Sequence, residues 1–184
     1  TSKKHSTVET PLPQPDNPSN AQVQSILKHL ENTNGHALCL GGKAETLDGL
    51  LTGTNLRIVA VDPEEAKVDS LRRRYQAAGL YGHRISVHHH DDPTQFPAPP
   101  HFANLVIVEA EATKDITPQK LAAVYQATRP YGGILCLYSK LGLLNQETKA
   151  LPKAVVLEKS PNALIVKKEG ALPETADWTH QYGD

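Results

Sequence analysis

The chain has 184 residues, a length typical of one domain with short tails. Its 19 Lys and Arg side chains nearly balance 20 Asp and Glu, so the net charge of −1 gives no electrostatic indication of nucleic-acid binding. No run of about 18 apolar residues occurs, so no membrane span is predicted. Because the sequence begins at Thr1 rather than Met, we expect a piece of a longer protein, whose compartment its N-terminus does not indicate.

Residues 1–20 contain four of the 14 prolines and few apolar side chains, which predicts an extended linker. An amphipathic helix is predicted to follow from Ala21 to about Glu31, capped by Asn20.

From residue 36 onward, short apolar segments alternate with segments of helical character. The apolar segments lack the polar alternation of half-buried strands, which favours a parallel sheet covered on both faces. We predict five strands, at His36–Leu40, Leu56–Val61, Ile85–His88, Leu105–Glu109 and Ile134–Tyr138. The helices between them are predicted at Ala44–Leu51, Pro63–Ala78 and Pro118–Thr128.

The last two apolar segments, Ala154–Glu158 and Leu164–Lys168, are joined by too few residues for a crossover helix, so they must form an antiparallel hairpin. The sequence therefore predicts an α/β fold. Its centre is a Rossmann-like, doubly wound, seven-stranded mixed sheet that is mostly parallel and ends in the hairpin.

Glycines and carboxylates mark the ends of the predicted strands. Gly41-Gly42 follow the first strand, Asp62 ends the second, Asp91-Asp92 follow the third, and Tyr131-Gly132-Gly133 lead into the fifth. The 21 residues from Gly41 to Asp62 are close to the spacing that sets a carboxylate over a ribose bound at the first turn. Ligands of such sheets bind outside the carboxyl ends of the strands.

With these features the chain, over roughly residues 21–170, resembles the class I S-adenosylmethionine-dependent methyltransferases. The resemblance implies S-adenosylmethionine as cofactor, with Asp62 at the ribose and Asp91 at the adenine amine. The full set of cofactor-binding residues that we predict on this basis is Gly41, Gly42, Lys43, Asp62, Pro63, Asp91, Asp92 and Glu109. The resemblance names neither a catalytic residue nor a methyl acceptor. A bacterial protein is expected, which is cytoplasmic if it is active.

The first turn departs from the G-x-G-x-G pattern of that family, with Lys43 and Glu45 at the second and third glycine positions. Lys43 either pairs with the ligand carboxylate or obstructs the methionine part of the ligand. Two functions therefore stay open: a cofactor-binding methyltransferase domain, or a degenerate fold that serves as a structural or interaction module. A nicotinamide-dinucleotide binder is disfavoured because G-x-G-x-x-G is missing.

The C-terminal segment Ala176–Asp184 (ADWTHQYGD) resembles the opening of a pyrroloquinoline-quinone-type β-propeller, as found in multidomain bacterial proteins. The resemblance implies a linker over residues 171–184 and a neighbouring propeller domain as partner.

Four further groups of residues are candidates for a functional role. The acids Glu109, Glu111 and Asp115 either act on a substrate or lie in a solvated loop with Asp115 or Thr117 capping the next helix, and we favour the loop. Residues 88–90 are three consecutive histidines, whose side chains alternate across a strand, so no metal site is predicted. Residues 72–74 are three arginines, expected on a solvated helix face, and Cys39 and Cys136 are expected as buried core thiols.

Overall fold

The computed structural model describes residues 21–114, 116–139 and 151–171. The linker predicted at 1–20, the segment compared with a propeller and Asp115 lie outside these residues. The strands are β1 (His36–Leu40), β2 (Arg57–Asp62), β3 (Ile85–His89), β4 (Leu105–Val108), β5 (Gly133–Tyr138), β6 (Ala154–Lys159) and β7 (Ala163–Lys168). The helices are α1 (Ala21–His29), α2 (Ala44–Gly53), α3 (Glu65–Ala77) and α4 (Pro118–Ala127), and a 3₁₀ turn covers Pro93–Gln95.

One seven-stranded sheet in the order β3-β2-β1-β4-β5-β7-β6 forms the centre of the molecule. β1 to β5 pair in parallel, whereas β7 is antiparallel to both β5 and β6. This confirms the predicted doubly wound sheet with its terminal hairpin. The chain moves outward from β1 to β3 and then returns to the other side of β1, so the strand order reverses between β1 and β4.

The central strands β1, β4 and β5 are buried along almost their whole length because helices or loops cover both faces of the sheet there. Cys39 of β1 packs with α1, α2 and α3 on one face, whereas its neighbours Leu38 and Leu40 pack with α4 on the other. Cys39 and Cys136 are both buried free thiols, as predicted. Burial raises the pKa of each thiol well above its ordinary value.

Local hydrogen bonds explain where the helix ends differ from the prediction. α1 ends two residues before Glu31 because the Leu30 N–H donates to the carbonyl of Leu27, which tightens the last turn. α3 begins at Glu65 rather than at Pro63, since the Asp62 carboxylate accepts from the Glu64 N–H in a turn between strand and helix. Thr117 caps α4, accepting a hydrogen bond from the Lys120 N–H as one of the two predicted caps.

The expected solvated arginine face is wrong for two of the three arginines. Arg74 forms an ion pair with Asp48 of α2, which is buried and also accepts a hydrogen bond from the Tyr75 hydroxyl at 3.1 Å. Arg72 donates to the carbonyl of Val87 at 3.0 Å. These contacts lie between elements that are far apart in sequence, so helical periodicity alone does not predict them.

β6 is the edge strand beyond β7, and its ladder is irregular. The register shifts between Val156 and Glu158, which makes a bulge. Val155 and Val156, beside the bulge, are 40% and 48% exposed. None of the described helices has the length and apolar character that crossing a bilayer requires.

Candidate functional site

The turn after β1 and the loop after β4 face each other where the strand order reverses. We call the space between residues 41–43 and residues 109–112 the crevice. Gly41 adopts φ +75°, a conformation that favours glycine, and its N–H donates to the carbonyl of Val61 at 2.7 Å. A β-carbon at Gly41 would lie 3.2 Å from the β-carbon of Ala112. The loop after β4 therefore lies directly against the first glycine turn.

Glu109 is the buried charge of the crevice. Its side chain is 0% exposed, and its Oε1 accepts hydrogen bonds from Gln22 Nε2 at 2.9 Å and from Thr46 Oγ1 at 3.1 Å. Its Oε2 lies 3.0 Å from Nζ of Lys43 but receives no well-directed hydrogen bond from any described residue. The solvated loop favoured from the sequence is thus wrong at Glu109, because α1 and α2 enclose its carboxylate.

Lys43 reaches across the turn to that carboxylate. It stands at the N-terminus of α2 without a side-chain capping bond, and its side chain is 41% exposed. Burial acts to lower the pKa of Lys43, but the carboxylates of Glu109, Glu111 and Glu45 outweigh it and raise the pKa above its ordinary value. Lys43 is therefore a firmly charged ammonium group, held 3.0 Å from Glu109 and 3.9 Å from Glu111.

Asp62 ends β2 with both carboxylate oxygens already engaged. Oδ1 accepts from the Glu64 N–H at 3.0 Å, and Oδ2 accepts from Nζ of Lys67 at 2.6 Å. The aspartate is 3% exposed, so the lysine is its charge partner on the open side. The carboxylate predicted to hold the ribose is therefore already paired with Lys67, in the first turn of α3.

The two aspartates after β3 differ completely in their surroundings. The Asp91 side chain is 98% exposed, and its carboxylate lies 3.7 Å from Nε2 of His89. Asp92 instead accepts hydrogen bonds from Thr94 and Gln95 and pairs with Lys120 at 2.7 Å. Burial acts to raise the pKa of Asp92, but these donors outweigh it and hold the pKa well below its usual range.

A cavity of about 290 Å³ adjoins the crevice at the carboxyl ends of β2, β3 and β4. Its walls include the apolar Pro63 and Ala112, and its polar rim includes Asp91, Glu111 and Lys120. The structure therefore brings the predicted residues into two neighbouring groups. Gly41, Gly42, Lys43 and Glu109 line the turn, and Pro63, Asp91 and Asp92 line the cavity, with Asp62 ending the strand beside Pro63.

Four residues of this region were not predicted from the sequence, namely Gln22, Thr46, Lys67 and Lys120. Lys67 had a signal, since it lies five residues after Asp62 in the first turns of the following helix. Gln22 and Lys120 reach the site from distant segments, and Thr46 lies three residues after Lys43 in α2, where no local pattern marks it.

The consecutive histidines lie along β3 without converging. His88 contacts the Ser86 hydroxyl at 3.1 Å, whereas His89 contacts the carbonyl of Pro63 at 3.0 Å. Within residues 21–114, 116–139 and 151–171, no group of three or more His, Cys, Asp or Glu side chains is arranged to hold a metal ion.

Solved structures identify the fold, although the sequence matches no protein-family model and no curated protein. A Methanococcus maripaludis protein assigned to the S-adenosyl-L-methionine-dependent methyltransferases superimposes with a TM-score of 0.68 at 11% identity, over 84% of this chain and 86% of that one. A methyltransferase of this kind from Aquifex aeolicus gives 0.59 at 16% identity, over 83% and 93%. At such identities the likeness shows the fold, so the chain has the Rossmann-like fold of S-adenosylmethionine-dependent methyltransferases.

A third structure extends the comparison to a larger enzyme. Geranyl diphosphate C-methyltransferase from Streptomyces coelicolor, solved with Mg²⁺, geranyl-S-thiolodiphosphate and S-adenosyl-L-homocysteine, gives a TM-score of 0.56 at 14% identity. The match covers 65% of this chain and 43% of that enzyme, so the present chain spans less than half of its length.

Proposed function

We propose that this domain binds S-adenosylmethionine in the crevice and the adjoining cavity. The observation that carries the proposal is the charge pair of Lys43 and the fully buried Glu109, 3.0 Å apart at the reversal of strand order. The S. coelicolor enzyme of the same fold was solved with S-adenosyl-L-homocysteine, which supports an adenosyl ligand here.

The adenine is proposed to occupy the cavity of about 290 Å³. A planar base fits between the apolar walls formed by Pro63 and Ala112, and burial of such a surface drives binding. Asp91 is exposed and available to accept a hydrogen bond from the exocyclic amine.

The amino-acid end of the ligand is proposed to divide the Lys43–Glu109 pair. An α-amino acid carries one ammonium and one carboxylate group, the same two charges as the pair. The ammonium would donate to Oε2 of Glu109, which receives no well-directed hydrogen bond from the described residues, and the carboxylate would pair with Lys43. The exchange leaves no buried charge without a partner, so the residues present fit this ligand.

Charge at the site favours a cationic ligand over a dinucleotide. Five carboxylates (Asp62, Asp91, Asp92, Glu109 and Glu111) stand against three lysines (Lys43, Lys67 and Lys120), a formal charge of −2. S-adenosylmethionine has a net positive charge from its sulfonium, whereas the pyrophosphate of a nicotinamide dinucleotide would be repelled.

Bound S-adenosylmethionine would supply an activated methyl group, whose carbon a suitably placed nucleophile attacks in line while the bond to sulfur breaks and S-adenosylhomocysteine leaves. This chemistry depends on positioning rather than on a strong base. We propose methyl transfer as the activity on that ground, with Glu109 and Lys43 orienting the methionine part of the ligand.

A second candidate function is a non-catalytic scaffold, and a specific observation favours it. Lys43 and Lys67 pair with the two carboxylates that the ligand would use, so the fold satisfies these charges by itself. On this proposal the site needs no ligand, and the domain acts as an interaction module beside the propeller suggested by residues 176–184. The linkers proposed at 1–20 and 171–184 belong to the same arrangement.

Calorimetric titration with S-adenosylmethionine and S-adenosylhomocysteine separates the two proposals. Binding is expected for the wild type, weaker for S-adenosylhomocysteine, which lacks the sulfonium charge, and weaker at high salt. The variant Glu109→Gln should bind S-adenosylmethionine about tenfold more weakly or worse, because a charged hydrogen bond is lost. The matched control is Glu65→Gln, an exposed acid in the first turn of α3.

The scaffold proposal predicts no heat and no thermal shift at about 1 mM ligand, a concentration that detects binding as weak as roughly −4 kcal/mol. Equal binding by Glu109→Gln and the wild type would also contradict the proposed exchange of charges.

A further inference from the structure

A second cavity lies at the opposite ends of the strands, where β1, β2 and β3 begin. It has a volume of about 340 Å³ and is lined by His36, Arg57, Gly82, His83, Arg84 and Ser86, together with three aliphatic residues of β2 and β3. We call it the basic cavity. It shares no lining residue with the cavity beside the crevice.

The segments at the amino ends of these strands contain no carboxylate. Residues 32–38, 52–60 and 80–87, at the amino ends of these strands, include two arginines and two histidines and not one Asp or Glu, although acids slightly outnumber Lys and Arg in the whole chain. The lining of the basic cavity likewise holds four basic side chains and no acid. Positive charge is therefore concentrated here without compensation from the surrounding chain.

Arg84 is fixed in place by uncharged partners. Its Nη2 donates to the carbonyls of Leu51 at 3.2 Å and Thr54 at 2.8 Å, and its Nε donates to that of Leu56 at 3.3 Å. Carbonyl oxygens hold the guanidinium but leave its unit charge unneutralised. Among the described residues, no carboxylate pairs with it.

Arg57 supplies a second guanidinium at the same edge. It stands directly beside His36 in the register of β1 and β2, and the Ile58 N–H following it bonds to the Arg84 carbonyl. The Arg57 side chain is exposed and makes no hydrogen bond or ion pair with the described residues. Its donors are thus available for a ligand.

We propose that the basic cavity binds the phosphate group of an anionic small molecule. Two guanidinium groups match the charge of a phosphate dianion. The fork of Arg57 can donate a pair of hydrogen bonds to its oxygens, whereas Arg84, whose Nε and Nη2 are engaged by carbonyls, donates from Nη1. The Ser86 hydroxyl and the ring nitrogens of His36 and His83 provide further polar contacts at the lining. Gly82 adopts φ +88°, and a β-carbon added there would meet no atom of the described residues within 4 Å, so the mouth of the cavity is open.

The test is a titration of the ¹⁵N-labelled protein with inorganic phosphate, with pyrophosphate and with a sugar phosphate, at constant ionic strength. Saturable shifts are expected in Gly82–Ser86 and at the Arg57 side chain. Saturation by phosphate alone would identify the free ion as the ligand, and a preference for the sugar phosphate would identify an ester. Arg57→Gln should weaken binding about tenfold, which corresponds to losing one charge-assisted contact.

The matched control is Arg73→Gln, which removes the same charge from an exposed position on α3. Three results would overturn the proposal: shifts that do not saturate, equal weakening by the control, or binding of an oligonucleotide without binding of any of the three small anions. The proposal is independent of the cofactor site, so Arg57→Gln should leave the titration with S-adenosylmethionine unchanged.

Discussion

Replacing Lys67 by Met should make the protein less stable and yet increase its affinity for an adenosyl ligand. Lys67 pairs with Oδ2 of Asp62 at 2.6 Å, while Oδ1 is held by the Glu64 N–H. The substitution leaves the carboxylate anchored through Oδ1 and frees Oδ2 in the direction from which a ribose would approach. The two effects have opposite signs because the lysine stabilises the free protein and competes with the ligand.

The magnitudes follow from the burial of the two partners. The Asp62 side chain is 5% exposed and that of Lys67 is 32% exposed, so solvent screens the pair on one side only. We therefore expect a loss of about 2 kcal/mol in the free energy of unfolding, between the values for surface and for buried pairs. A ribose hydroxyl that donates to the freed oxygen should strengthen binding by about 1.5 kcal/mol, or roughly tenfold.

Urea unfolding measures the first effect and calorimetric titration with S-adenosylhomocysteine measures the second. Arg73→Met is the control, since it replaces an exposed cation of α3 that has no partner among the described residues. If Lys67→Met is folded and its affinity equals or falls below that of the wild type, the assignment of Asp62 to the ribose is wrong.

Three further predictions concern stability and reactivity. The lowered pKa of Asp92 means that its stabilisation is complete above its ordinary pKa of 3.8 and is lost as the pH falls toward the folded value; the urea midpoint of Asp92→Asn should therefore change less between pH 7 and pH 3 than that of the wild type. The buried thiols of Cys39 and Cys136, with raised pKa values, should react with a disulfide reagent only at the rate of unfolding, and faster labelling of the folded protein would contradict their burial. Gly133→Ala should lower the free energy of unfolding by about 1–3 kcal/mol, because its methyl group would overlap the Arg129 carbonyl and lie 2.8 Å from Thr128 Cγ2; an unchanged melting temperature would show that β5 shifts freely.

Much of the fold could be predicted from local sequence. The central strands β1, β4 and β5 are apolar along almost their whole length because both of their faces are covered, and this signal requires no knowledge of the partners. The short connection between β6 and β7 fixed their antiparallel pairing by geometry alone. The bulge at residues 156–158 was not predicted, since it depends on how β6 meets β7 and no residue of β6 marks it.

The candidate site was predicted in part. Gly41, Asp62 and Asp92 stand at strand ends, and in a parallel sheet such ends lie together at one edge, so their grouping follows from topology. The burial of Glu109 did not follow, because it arises from Gln22 and Thr46, which lie 87 and 63 residues away in sequence. Hydrogen bonding across such separations depends on tertiary packing, which sequence periodicity and spacing do not indicate.

The irregular hydrogen-bond ladder of β6 affects how readily the protein aggregates at high concentration. An edge strand with exposed valines ordinarily presents a row of amide and carbonyl groups with which another polypeptide strand can pair. Here the row is broken near its midpoint, at residues 156–158, so the groups on either side are out of phase. A second polypeptide strand could hydrogen-bond to only one half of β6 at a time. This geometry opposes edge-to-edge aggregation even at high protein concentration.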